Sequence, residues 1–331
     1  MFQPLEAKSQ QQLSNFCSPP QLPPLDPQIV ARHRADAHWL LRHSAGHAAA
    51  RCSLWWVNTP PYPGQQVGLI GHYAARTGPA AARLLALACE QLQQQGCTVA
   101  IGPMDGSTWR SYRLATTPGS EPPFFLEPTN PADWPAHFTD AGFEPLATYF
   151  STITANLRPA VPRLARVARR AGRHGLTIRP FNPARFDEEL RHLYTLSRAA
   201  FSGNFLYTPL AEAEFVAMYR PLRPLIQPNL ILLVEKEGQP AGFIFALPDL
   251  LQRQRGQPID TVIIKTVAVH PNFQTYGLGT LLVDRCQQAA HALGYRRAIH
   301  ALMHQTNESR KISRRLNSHP MREYALFAKK L

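Results

Sequence analysis

The chain has 331 residues, of which 44% are hydrophobic and 17% charged against a usual charged share of about 25%, and 31 are proline. That length suits two domains of ordinary size, and the composition excludes a coiled coil and a highly charged disordered chain. Thirty-five Lys and Arg against 22 Asp and Glu leave +13, a field that attracts nucleic acid, anionic lipid or a polyphosphate cofactor without choosing among them. Most of that excess is Arg, which genome composition also produces.

The segment 1–28, rich in Gln, Pro and Ser, holds few large apolar residues and is expected to be a mobile arm. Its start has no basic stretch followed by an apolar run, so it is not a secretory signal. No run of 18 or more apolar residues occurs, and a soluble protein is expected. The five cysteines, Cys17, Cys52, Cys89, Cys97 and Cys286, are scattered and never paired as C-x-x-C. They offer neither a disulfide framework nor a zinc site, so a reducing cytoplasm and no metal are expected.

From about residue 30 the chain becomes globular. Arg51–Val57 and Val67–Gly71 read as strands joined by TPPYPG, and Pro79–Gln95 reads as a helix with Pro in its first turn and Gly96 past its end. Thr98–Ile101 is a strand, Asn130–Gly142 a short helix and Leu146–Ile153 a closing strand. The region 156–175 carries Arg158, Arg163, Arg166, Arg169, Arg170 and Arg173 without an acid, with Leu164, Val167 and Ala171 at helical spacing. It is either a solvated linker helix or a contact for RNA or another acidic surface, and no aromatic residues are interleaved for base stacking. The second half repeats the alternation: strand 177–181, helices 184–201 and 210–219, strands 230–235, 241–247 and 261–269, helix 277–293, strand 297–303, helix 307–316 and strand 322–328. Such an order predicts an α/β fold with a mixed sheet. Leu84, Leu85 and Cys89 match Leu281, Leu282 and Cys286, and Gly96, Ala100 and Ile101 match Gly294, Ala298 and Ile299. This is the pattern of a duplication with one inserted residue, although two apolar helices ending in Gly also match by chance.

The informative segment is Val267-Ala-Val-His-Pro-Asn-Phe-Gln-Thr-Tyr-Gly-Leu-Gly-Thr280, a strand leading through a short loop into a helix start. A helix start has unpaired amides and the positive end of the dipole, which together bind phosphate. Gly277 and Gly279 remove the Cβ atoms that would keep a ligand away, although a strand-to-helix turn also uses glycine.

With Val267, Val269, Pro271, Gln274, Gly277 and Gly279 in these places, the segment resembles the GCN5-related N-acetyltransferase (GNAT) superfamily, whose loop is Gln or Arg, two residues, Gly, one residue, Gly or Ala, after a strand ending V-x-V-x-P. Arg297–Met303 and Asn307 match the later strand and Asn-led helix. The resemblance covers 176–331 and implies acetyl-CoA as co-substrate. The backbone of Val267 and Val269 would pair with pantetheine amides, and Gln274, Thr275, Tyr276, Gly277, Leu278, Gly279 and Thr280 would hold the pyrophosphate. Asn307 would lie near the sulfur, and Arg310 and Lys311 either screen the 3′-phosphate or form a solvated face. Asn204, Phe205 and Tyr207 lie where the family's acceptor loop runs. Two departures matter: the family's acidic Tyr is here Arg314, and its Glu on the coenzyme strand is here Lys265. Tyr324 and His300 are substitutes of the right chemical type, and a Tyr or His in a strand is also ordinary packing. Residues 30–155 resemble a worn copy in which Thr77, Ala80 and Ala82 take the places of Gln274, Gly277 and Gly279.

The resulting expectation is two tandem acyl-CoA N-acyltransferase-like domains, 30–155 degenerate and 176–331 intact, that transfer acetyl to an amine of a small molecule or peptide. A non-catalytic acyl-CoA-binding sensor and a tRNA-dependent aminoacyl transferase are the alternatives.

Overall fold

The computed structural model describes residues 2–157 and 164–331, so Arg158 and Arg163 of the basic stretch lie outside the described residues. The first half runs β1 (Phe2–Glu6), α1 (Gln10–Cys17), α2 (Pro27–His33), β2 (Ala37–His43), β3 (Ala48–Trp55), β4 (Val67–Ala75), α3 (Gly78–Gln94), β5 (Val99–Gly102), β6 (Leu114–Thr117), α4 (Trp134–Asp140) and β7 (Glu144–Thr154). The second runs α5 (Leu164–Arg173), β8 (Leu176–Pro180), α6 (Phe186–Phe201), α7 (Glu212–Tyr219), β9 (Ile231–Lys236), β10 (Gln239–Pro248), α8 (Leu250–Gln254), β11 (Thr261–Val269), α9 (Leu278–Ala292), β12 (Arg297–His304), α10 (Ser309–Arg315) and β13 (His319–Lys330).

Residues 1–28, expected as a mobile arm, are instead built into the fold. β1 pairs antiparallel with β2, Ser9 caps α1 in a reciprocal capping box with Gln12, and Phe16, Cys17 and Leu22 are buried. A few well-placed apolar side chains suffice because they cover an existing sheet rather than form a core of their own.

One mixed sheet runs through the molecule in the order β1-β2-β3-β4-β5-β13-β7-β12-β11-β10-β9-β8, with β6 alongside β13. The two halves repeat the same path: antiparallel strands, then a parallel pair joined by a helix, which is β4-α3-β5 in one half and β11-α9-β12 in the other. The closing strands are exchanged. β13 of the second half pairs with β5 of the first, and β7 of the first pairs with β12 of the second. Their mutual ladder, from His319 opposite Ile153 to Ala328 opposite Glu144, joins the halves at the centre of the sheet.

Period-2 alternation in the strands sorts side chains between two cores. In the second half, Leu232, Val234, Ile244, Ala246, Val262 and Ile264 face α5 and α9, while Ile231, Leu233, Phe243, Phe245 and Leu247 face α6 and α7. The basic helix α5 is therefore a packed element. It buries Leu164 and Ala171, sets Val167 near Gly277, and leaves Arg166, Arg169, Arg170 and Arg173 exposed. Among the described residues no helix is long and apolar enough to cross a membrane.

Candidate active site

β11 and β12 are hydrogen-bonded only from Thr261–Arg297 to Ile264–His300. Beyond that point both strands are bulged. On β11 the ladder with β10 steps from Ile264 to Thr266, leaving Lys265 as the extra residue, and on β12 the ladder with β7 skips Ala301 and Leu302, where Leu302 takes φ +60°. An extra residue bends its strand. Bent apart, the two strands leave Val267 and Val269 paired with β10 on one side and, among the described residues, with no strand on the other. A cavity of about 50 Å³ lies in this splay, lined by Lys265, Val267, His300, Met303, Ile312 and Ser313 among others.

The loop after β11 continues from it as a 3₁₀ turn, Pro271–Tyr276, and Gly277 then turns at φ +71° to start α9. No side chain caps this helix start, so its first amides are open to an anion. Gly277 is needed for that left-handed turn. At Gly279 the crowding comes from within the protein, since a Cβ there would stand 3.1 Å from Ile312 Cδ1. Gln274 and Thr275 are exposed, and Tyr276 packs against His174 and under Arg170 of α5, with centroid distances of 5.0 and 5.8 Å.

His300 is buried in the splay with Nδ1 2.7 Å from Ser313 Oγ and Nε2 3.0 Å from Gln287 Nε2; burial pushes its pKa down to about 4. Lys265 donates from Nζ to the Leu126 carbonyl at 3.3 Å, and burial, followed by the neighbouring Arg113, lowers it to about 8, with Glu127 opposing the shift. Tyr324 is fully buried and is not among the residues lining the cavity. Its hydroxyl donates to Glu127 and lies 3.1 Å from Ser151 Oγ, and burial raises its pKa strongly. Asn307 is exposed, and its side-chain oxygen accepts from the Ser309 amide at 2.9 Å, holding the start of α10. Arg310 lies over the Phe150 ring and Lys311 pairs with Glu308.

The face opposite α9 is built by both halves. The Pro-rich segment 118–127 of the first half crosses it: Phe124 packs with Ile263 and Ile299, the Phe125 amide donates to Asp249, and buried Glu127 accepts from Arg322 at 2.6 Å. Phe205 sits between Tyr62 and His304, Tyr207 packs on Trp109, and the Trp109 indole donates to the Thr208 carbonyl at 2.9 Å. Asn204 is exposed. Residues 118–127 and their Glu127 were missed in the sequence because nothing local marks a loop that folds onto the other half.

The first half has the same parallel pair but no open splay. Met104 donates to the Ile70 carbonyl at 2.8 Å and Asp105 accepts from the His72 amide at 2.6 Å, so the chain after β5 crosses the gap. Gly71 permits that crossing, since a Cβ would lie 2.2 Å from the Met104 carbonyl oxygen. The start of α3 is also spent: Thr77 caps it and takes the Ala80 amide, and Pro79 has no N–H to give.

A splayed parallel strand pair closed by an open helix start sets a free strand edge beside an anion-binding site. Residues 190–316 match the model of the Acetyltransferase (GNAT) family. It is 26% identical over 290 residues to "Bacterial ceramide synthase" of Caulobacter vibrioides (strain NA1000 / CB15N), covering 80% of this chain and 75% of that one. To "Protein YghO" of Escherichia coli (strain K12) it is 24% identical over 297 residues, covering 81% and 75%. Among solved structures, a tandem GNAT protein from the clavulanic acid biosynthesis pathway aligns with all of this chain and 98% of its own at a TM-score of 0.51 and 14% identity. A GCN5-related N-acetyltransferase from Sphaerobacter thermophilus aligns over 92% and 86% at 0.53 and 14%. The structural likenesses establish the tandem fold.

Proposed function

We propose that the protein is an acyl-CoA-dependent N-acyltransferase that binds its coenzyme in the splay of β11 and β12 and acylates an amine presented from the face bounded by both halves. The observation that carries this reading is the meeting, at one place, of a free strand edge at Val267–Val269 and an uncapped helix start at Gly277. Pantetheine amides would continue the sheet on that edge, and the pyrophosphate would take the amides of 277–280.

The amine nitrogen attacks the thioester carbonyl, the C–N bond forms, the C–S bond breaks, and the electron pair leaves on sulfur. Lys265, in the bulge where the family has its Glu, lines the cavity and loses its proton near pH 8. It would take the proton from the attacking amine and return it to the coenzyme thiolate, whose ordinary pKa of about 8.5 matches. Tyr324 then holds Glu127 in place rather than serving as the acid, and His300 shapes the inner wall.

The relative named as a ceramide synthase suggests the substrate class, because a ceramide is the N-acyl derivative of a long-chain amino alcohol. The aromatic wall of Tyr62, Phe205, Tyr207 and Trp109 suits such an acceptor better than a polar amine. We therefore favour a long acyl-CoA and an amphiphilic amine over the acetyl transfer expected from the sequence. The test is thiol release from acetyl-, octanoyl- and palmitoyl-CoA with long-chain amino alcohols and with polar amines. Palmitoyl-CoA with an amino alcohol should turn over fastest. Preference for acetyl-CoA and a polar amine would reject this acceptor class, and acyl-CoA binding without thiol release from any pair would leave a binding protein.

A further inference from the structure

A second cluster of chemistry-bearing side chains lies in the first half, one position past the residue, Gly71, that corresponds in the repeat to Lys265. His72 occupies the bulge of β4 at φ +46°, as Lys265 occupies the bulge of β11. Its Nε2 is 2.8 Å from Nδ1 of His33, the last residue of α2, and 3.9 Å from Oδ2 of Asp105, in the loop after β5. The three ligating atoms all lie within 4.8 Å of one another. Donors about 2.0–2.2 Å from a tetrahedral ion stand about 3.3 Å apart, so the observed separations bracket what an ion requires.

Each of the three residues is braced through its other polar groups. His72 Nδ1 is 2.8 Å from Ser53 Oγ, which is itself 2.8 Å from His38 Nδ1. The His72 amide donates to Asp105 Oδ1. The His33 carbonyl accepts from Trp55 Nε1 at 2.9 Å and from Arg110 Nη1 at 3.0 Å. One ligating atom of each residue thus lies within 4.8 Å of the others, and the bond on the far ring nitrogen of His72 is of the kind that fixes a ligand's tautomer and orientation. The nearby cations are engaged elsewhere: Arg110 pairs with Glu214 at 2.7 Å, and Arg51 donates to the carbonyls of Phe16, Cys17 and Pro23. His72 is buried while His33 and Asp105 are partly exposed, which gives an ion a way in.

We infer that His33, His72 and Asp105 bind one divalent transition-metal ion, with zinc the best match to two imidazoles and a carboxylate and with water as a fourth ligand. The ion ties α2, β4 and the loop 103–112 together. That loop also carries Ser107 and Trp109, which meet the acceptor loop at Thr208, so the metal stiffens one wall of the acceptor face. The expectation of no metal rested on cysteine spacing. It could not see ligands 39 and 33 residues apart on three different elements.

The full-length chain, stripped with a chelator, is titrated with Zn²⁺ and with Co²⁺. One equivalent should bind with a Kd tighter than ~10 μM and raise Tm, and the Co²⁺ complex should show four-coordinate ligand-field bands without sulfur charge transfer. His33→Ala and Asp105→Asn, at partly exposed positions, should each abolish stoichiometric binding. Ser53→Ala keeps all three ligands and should weaken binding by about 10–100-fold. Binding weaker than ~10 μM in the parent chain, binding that survives both ligand substitutions, or a thiolate spectrum would overturn the assignment. Since the readout is the metal itself, the result is independent of whether acyl transfer is found.

Discussion

Thr280→Glu separates the role of the α9 start in coenzyme binding from its role in folding. Thr280 is the third residue of α9 after the Gly277 cap, a position where Glu favours the helix dipole and contributes about 0.3–1 kcal/mol of stability. In the unliganded protein the substitution should therefore leave Tm unchanged or slightly raised. Toward a pyrophosphate on the amides of 277–280 the sign reverses. A carboxylate about 5 Å from a phosphate charge, at an effective dielectric of about 20, costs about 3 kcal/mol, or roughly 100-fold in Kd. At a concentration of about 100 times Kd, acyl-CoA stabilises the parent by about 2.7 kcal/mol; after a 100-fold loss the same concentration gives only about 0.4 kcal/mol. For a chain of this size that is a fall in thermal shift from about 4 °C to under about 1 °C, measurable by scanning fluorimetry and checked by calorimetry. A folded Thr280→Glu protein that keeps the full shift would refute the placement of the coenzyme. Gly277→Glu is the poorer experiment, because φ +71° at that residue makes any side chain costly to the fold itself.

Lys265 is lowered to about 8, so with Lys265 as base kcat/KM should rise with pH through an apparent pKa near 8, and Lys265→Met should remove that limb and lower the maximal rate by about 10²–10⁴; a limb that persists in the variant would remove Lys265 from the chemistry. Tyr324→Phe should cost about 1–3 kcal/mol of stability, through Glu127 left short of a donor, with kcat nearly unchanged; a loss of kcat at constant KM would restore Tyr324 as the acid. His300 is lowered from 6.5 to about 4 by burial, so the unfolded chain binds the extra proton between those values: its contribution is whole above pH 6.5 and is lost as the pH falls toward 4. His300→Gln should accordingly flatten the pH dependence of chemical unfolding in that window, and an unchanged slope would place the acid sensitivity elsewhere.

The parts of the fold that the sequence showed are those whose signal is local. β11 is bounded in the structure as its β-branched run predicts, and α9 begins within a residue of where its glycines place it. The geometry of the loop before α9 was legible for the same reason: a turn at positive φ and an open helix start are both written within seven consecutive residues. The N-terminal segment was misread because its stability is borrowed. β1 is a strand only by pairing with β2, and Phe16 is buried only against the sheet. Lys265 was visible as a departure, but its pKa is lowered by burial and then by Arg113, 152 residues away in the chain. Asn307, a family position, holds the start of α10 through the Ser309 amide, a local role its place before the helix already suggests.

The exchange of closing strands makes each half depend on the other for its fold. β13 lies between β5 and β7, and β7 lies between β13 and β12, so neither half closes its own sheet. The edge of β5 would stand unpaired without the second half, and the edge of β12 without the first. Splitting the chain within 158–163 and producing the halves separately should therefore give aggregation-prone fragments, whereas co-expression should give a complex that copurifies and binds acyl-CoA like the intact chain. A soluble, cooperatively unfolding first half on its own would contradict this dependence. The same dependence makes the first half structurally indispensable whatever its own splay does. The first half gives the second a strand for β12, a loop ending in Glu127 and, through the loop that fills its own splay, Ser107 and Trp109 against the acceptor loop.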